Sequence, residues 1–144
     1  MRITEVRDKN DITTFRLVPQ LIYAADEHWI PHLRQDIEDV FDKKKNKFWR
    51  NGEAVRWILW NENGQAIGRV AAFINRKTSD TFKQPTGGMG FFECIDNQDA
   101  ANLLFNQCSK WLQEQGMEAM DGPINFGEKD KFWGLITENF DMSP

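Results

Sequence analysis

A chain of 144 residues, 40% hydrophobic and 28% charged, is sized for one globular domain that could bury about 70% of its unfolded surface. Its formal net charge of −4 gives nucleic acid no electrostatic footprint. Two cysteines, Cys94 and Cys108, are too few for a disulfide framework and lack metal-ligand spacing. No apolar run approaches the ~20 residues that span a bilayer, and no signal peptide opens the chain. It therefore reads as a single domain over residues 1–144, cytoplasmic, with reduced thiols and no membrane contact.

Arg2 to Val6 alternates apolar and polar residues, which predicts a short edge strand. Asp11 can cap a helix with Ile12, Phe15, Val18 and Ile22 on one face, bent or interrupted at Pro19. Pro31 suits the first turn of a second helix, where Leu33, Ile37, Val40 and Phe41 form one buried stripe. The basic run KKKNKFWR (Lys43 to Arg50) follows Asp36, Glu38, Asp39 and Asp42. It reads as a solvated helix end, with a basic rim for an anionic ligand as the sharper alternative.

AVRWILWNENGQAIGRVAAFIN is a hairpin signal: two β-rich runs flank Asn63-Gly64, which suits a type I′ turn. The first run is apolar on both faces, so its sheet should be covered on both sides. Gly68 in the second run marks a bulge or a close backbone approach. GGMGFFECI and EAMDGPIN are further strands. Between them Ala101, Leu104, Phe105, Cys108 and Leu112 repeat at helical spacing, making a crossover between parallel strands. The fold class is α/β (mixed α+β), a layered mixed sheet with helices on both faces.

That order, with the words WIPHLRQDIEDVFDKKKNKFW, NGEAVRWILWNENGQAIGRVAAFIN, GMGFFECIDNQDAANLLFNQCSKWLQEQGM and GPINFGEKDKFWGLITENF, resembles the GNAT superfamily of acyl-CoA N-acyltransferases. It is similar above all to bacterial GNAT-like proteins, over their N-terminal portion. The resemblance implies acetyl-CoA or another acyl-CoA as cofactor and a small-molecule or peptide amine as substrate. The acyl thioester would lie where the fourth and fifth strands splay, against backbone groups of Phe92, Cys94 and Ile95. The turn Asn97, Gln98, Asp99, Ala100, Ala101 would sit by the diphosphate, and Glu93 would deprotonate the amine.

Two departures weaken that expectation. The family's Q/R-x-x-G-x-G/A loop aligns with Asp96 to Ala101, where Asp96 replaces the Q/R, Asp99 the first glycine, and only Ala101 fits. Asp96 or Asn97 is a ready N-cap for the following helix, and two carboxylates there would repel a diphosphate. Second, the family's last helix, which often carries a Tyr general acid, and its closing hairpin should begin about where FDMSP ends. The one tyrosine, Tyr23, cannot be that residue by alignment. A sheet left incomplete offers an edge for self-association.

Asn125, Glu128, Asp130 and Trp133 form a polar loop that could read a substrate, or one that is merely rigid, anchored by Phe126, Phe132 and Trp133. His28 and His32 have H-x-x-x-H spacing, but Pro31 breaks the helix that a shared metal would need, so no metal is expected. No Ser/His/Asp order, P-loop or dinucleotide fingerprint is present. Two readings stand: an acetyl-CoA-dependent N-acyltransferase with a degenerate pyrophosphate loop, and a non-catalytic binding or interaction module on the same fold.

Overall fold

The structure is a computed structural model and describes residues 1–81 and 83–127. Its elements run β1 (Arg2–Glu5), α1 (Lys9–Ile22), α2 (Arg34–Phe41), a 3-10 turn (Lys47–Asn51), β2 (Gly52–Trp60) and β3 (Ala66–Asn75). The chain continues through α3 (Arg76–Ser79), β4 (Thr86–Cys94), α4 (Gln98–Glu114) and β5 (Ala119–Asp121). The strands form one sheet in the order β1-β2-β3-β4-β5. All neighbours are antiparallel except β4 and β5, which are parallel through the α4 crossover. This is the mixed, two-sided layer that the hydrophobic patterns predict. Among the described residues no helix is long and apolar enough to cross a membrane.

Several local expectations change. The N-cap of α1 is Asp8 rather than Asp11; Asp11 completes a capping box, each side chain accepting from the other's backbone N–H. Pro19 does not interrupt α1, which runs on to Ile22. Pro31 lies ahead of α2, which starts only at Arg34, and Leu33 is 70% exposed instead of buried. Residues 42–51 are a turn and the 3-10 segment, so the basic run is no helix end; Lys45 pairs with Asp39 and Lys43 lies over Trp49. In the hairpin only Gly64 has positive φ (75°). The turn is a longer loop closed by Asn61, whose side chain accepts from the N–H groups of Asn63 and Gln65. On α4 the fully buried alanine is Ala100, one position before the expected Ala101.

Strand alternation gives the sheet two cores. Trp57, Leu59, Val70, Ala72, Ile74 and Met89 pack under Ala100, Leu104, Cys108 and Leu112 of α4. Gly68 allows that approach, because a Cβ there would meet Leu104 Cδ1 at 2.9 Å. On the opposite face Phe15 and Val18 of α1 pack on Ile58 and Ala71. Full burial of a side chain such as Phe15 is worth about 1.5–3 kcal/mol.

One irregularity decides what faces the second core. Arg69 pairs with Glu93 but Ala71 pairs with Gly90, so Phe91 and Phe92 together oppose Val70. Phe91 takes φ 52°, a conformation costing about 1–3 kcal/mol outside glycine. Its ring offsets this by packing 6.3 Å from Phe15 and 5.1 Å from Phe41. The extra residue reverses the alternation beyond it. Met89 and Phe92 therefore face α4, while Phe91 and Glu93 face α1.

Candidate functional site

Glu93 sits just past the bulge on the α1 face, across from Arg69 of β3. Arg69 Nη2 lies 3.9 Å from Glu93 Oε1, and the Tyr23 hydroxyl donates to Glu93 Oε2 at 2.5 Å. Tyr23 caps the C-terminal end of α1, which places its phenol over the end of β4. Burial, then the hydrogen bond to Glu93, raises the phenol's pKa well above its ordinary value. It therefore remains a protonated donor across the physiological range.

Arg69 is 1% exposed and held by an unusual acceptor. Pro19 has no N–H, so the carbonyl of Phe15, four residues earlier, lacks its helical partner. Arg69 Nη1 donates to that carbonyl at 2.9 Å. The guanidinium also lies 4.9 Å from the Phe15 ring centre and 5.9 Å from that of Phe91. Burial lowers its pKa to about 10, which leaves it charged at neutral pH. Its Nε is buried without a hydrogen-bond partner among the described residues. Next to it Arg56 of β2 lies 4.0 Å from the Phe41 ring centre, and burial likewise lowers its pKa, opposed by the charge of Glu38.

Beside this group a small cleft opens between α1 and the segment ahead of α2, lined by Arg16, Gln20, Trp29, His32 and Arg69 among others. His32 has its pKa lowered, first by burial and then by the charge of Arg69, with Glu93 and Asp36 opposing. A depressed imidazole pKa means that the unfolded chain binds the proton more readily. The contribution is complete above the unfolded value near 6.5 and is lost as pH falls through the folded one. Urea titrations between pH 7 and 5 should show stability falling with acid, with a shallower fall in His32→Asn. An unchanged slope would mean that His32 contributes nothing to the acid response.

On the other edge of β4 the strands part. Pairing with β5 ends at Gly88 and Asp121, and Ile124 N–H donates to Met89 O at 2.9 Å. Gly90 permits the next contact, because a Cβ there would lie 2.0 Å from the Ile124 carbonyl oxygen. Ile95 donates to Ile67 O, and Glu93 pairs with Arg69, so both turn toward β3. By alternation, Phe92 and Cys94 point their N–H and C=O groups toward the gap beyond β5. No described residue bonds to them from that side.

The gap leads to the N-terminus of α4. Asn97 is its N-cap, Oδ1 accepting from Ala100 N–H at 2.9 Å, while Ala101 N–H is satisfied by Asn97 O at 3.0 Å. The N–H groups of Gln98 and Asp99 find no acceptor among the described residues. Two backbone donors at a helix N-terminus are thus available to an anion, with the Asp99 carboxylate beside them.

No known family profile matches the chain. Solved structures match it closely in shape. An acetyltransferase of the GNAT family from Staphylococcus aureus aligns with TM-score 0.55 at 13% identity, over 83% of this chain and 69% of that one. The structure of AAC(6')-Iy in complex with the bisubstrate analogue CoA-S-monomethyl-acetylneamine aligns at 0.55 and 14%, over 96% and 97%. The chain has the GNAT fold. An aminoglycoside acetyltransferase, meta-AAC0020, from an uncultured soil metagenomic sample and in complex with sisomicin, aligns at 0.57 and 12%, over 86% and 77%. In sequence, protein YghO of Escherichia coli strain K12 is 28% identical over 139 residues, 95% of this chain. The chain spans 34% of that relative's length.

Within the GNAT fold the sequence-predicted residues fall into separate places. Glu93 lies on the α1 face, whereas the side chains of Phe92 and Cys94 lie on the α4 face. Phe92 stacks on Phe105 at 4.7 Å, and burial raises the Cys94 thiol pKa. Asn97 to Ala101 form the start of α4, and Ile95 leads into it, partly exposed. Asn125 lies between Ile124, tied to β4, and Phe126, buried against Phe73, Phe48 and Trp49. Glu128, Asp130 and Trp133 lie outside the described residues. Sequence reasoning set Tyr23 aside and missed Arg69. A lone arginine in the apolar strand RVAAFI and a proline inside a helix were the available signals.

Proposed function

We propose that the chain is an acyl-CoA-dependent N-acyltransferase domain. The observation that carries this reading is Glu93, set between Tyr23 and Arg69 beside a strand whose outer edge, past Met89, has no backbone partner among the described residues. The backbone groups of Phe92 and Cys94 would hold the pantetheine arm as an added strand would. The N–H groups of Gln98 and Asp99 would meet the diphosphate. A bound acyl-CoA would supply a thioester whose C–S bond breaks as the acceptor nitrogen forms the amide, releasing the coenzyme as a thiolate that takes its proton from solvent. Glu93 receives the amine's surplus proton, Tyr23 fixes the carboxylate by donating to Oε2, and Arg69 holds the second oxygen by charge. Aminoglycoside acetyltransferases among the similar structures support an amine as acceptor.

A non-catalytic module on the same fold is the second reading, favoured by the state of the α4 N-terminus. Asn97 already uses one of its N–H groups, and Asp99 opposes an incoming phosphate. Calorimetric titration with acetyl-CoA, with a nucleotide as control, separates the two. The enzyme reading expects saturable binding that tightens by about two- to fivefold in Asp99→Gly, as removal of one carboxylate from a helix N-terminus is worth roughly 0.3–1 kcal/mol. Flat heats from folded protein, in both forms, would leave the module reading.

A further inference from the structure

The cleft beside Arg69 has a composition that amine binding does not explain. Its polar wall is Arg16, Gln20, His32 and Arg69, and among the described residues no carboxylate lines it. Arg69 is 1% exposed, yet among the described residues its Nε has no hydrogen-bond partner. A buried donor left in that state costs about 1–3 kcal/mol, which an acceptor atom brought by a ligand would recover. Glu93 lies against the same guanidinium, 3.9 Å from Nη2. An amine held by Glu93 and an anion held in the cleft would therefore share Arg69 as a neighbour.

The cleft is also small, with room for about one or two ordered waters. A planar carboxylate fits such a space better than the tetrahedral head of a phosphate. Guanidinium groups present paired donors to a carboxylate. Trp29 and Pro31 supply an apolar wall along which a short carbon chain could lie.

We infer that this cleft binds the carboxylate of the acceptor, so that the substrate class is a free amino acid whose amine reaches Glu93. The inference rests on the N-acyltransferase reading for the role of Glu93, but its recognition element, Arg16 with Arg69, is separate from the coenzyme edge. Arg16 is half-buried on α1 outside both cores, so its replacement spares the packing.

The test is calorimetric titration with β-alanine, γ-aminobutyrate and ε-aminohexanoate, each beside its primary amide, with aminoethyl phosphate as the competing anion. One of the acids should bind at least about tenfold tighter than its amide, the value of one charge-assisted hydrogen bond. Arg16→Gln should narrow that preference to under about threefold. Equal affinity for acid and amide, or no binding by any acid, overturns the inference, and so does tighter binding of aminoethyl phosphate. A preserved acid preference with flat acetyl-CoA heats would sink only the acyltransferase reading.

Discussion

Replacing Arg69 by methionine is expected to lower the unfolding free energy by about 3–5 kcal/mol, the usual result of removing one partner from a buried ion pair. For a chain of this size the melting temperature should fall by on the order of 10 °C. Two groups lose their partner at once: the Phe15 carbonyl, which Pro19 cannot satisfy, and Oε1 of Glu93. Three effects oppose the loss. Methionine fills most of the volume between Phe15 and Phe91, and the buried, unpartnered Nε disappears with the guanidinium. Relief of repulsion from Arg56 adds in the same direction. They leave the sign unchanged, because an uncompensated carboxylate is the larger penalty.

A double replacement checks the cause. Adding Glu93→Leu to Arg69→Met removes the stranded charge, so the pair should be less destabilised than the sum of the two single variants, by about 1–2 kcal/mol. Strict additivity would mean that Arg69 acts through packing or the Phe15 carbonyl alone. Arg69→Lys should not rescue the single variant, since an ammonium cannot donate to Phe15 and face Glu93 from one fixed plane.

The layers were legible because strand alternation and helical spacing are local patterns. The hairpin, the α4 crossover and the parallel β4–β5 pair all follow from runs of a dozen residues or fewer. The acidic turn before α4 was legible too, with Asn97 filling the N-cap role that Asp96 could equally have taken. The Glu93 cluster was not, for two physical reasons. Which face Glu93 takes depends on one extra residue at Phe91, where the positive φ falls on a phenylalanine rather than on the glycine before it. Tyr23 meets Glu93 across 70 positions of sequence, at a helix end whose position is set by packing of Phe15 and Val18 on β2 and β3. Alignment to a family pattern looked for a tyrosine late in the chain and so passed over the one that the fold delivers from the other end.

Glu93→Gln is the decisive substitution for activity. In an acyl-transfer assay with an amine acceptor it should lower kcat/KM by about 100-fold or more, within the range for removal of a general base. The amide is nearly isosteric and can still accept from Tyr23, so the fold and the hydrogen bond at Oε2 survive. Acetyl-CoA affinity should be unchanged, because the carboxylate faces α1 while the backbone edge of Phe92 and Cys94, without a partner among the described residues, faces the β5 gap. Tyr23→Phe should lose about tenfold, the worth of one hydrogen bond to a charged group. Acting through Glu93, it should add little further loss in the double variant. A Glu93→Gln protein with full turnover and normal coenzyme binding would move the proton acceptor elsewhere. His32 would then be the group to change, since its lowered pKa favours the neutral imidazole and it lines the cleft beside Arg69.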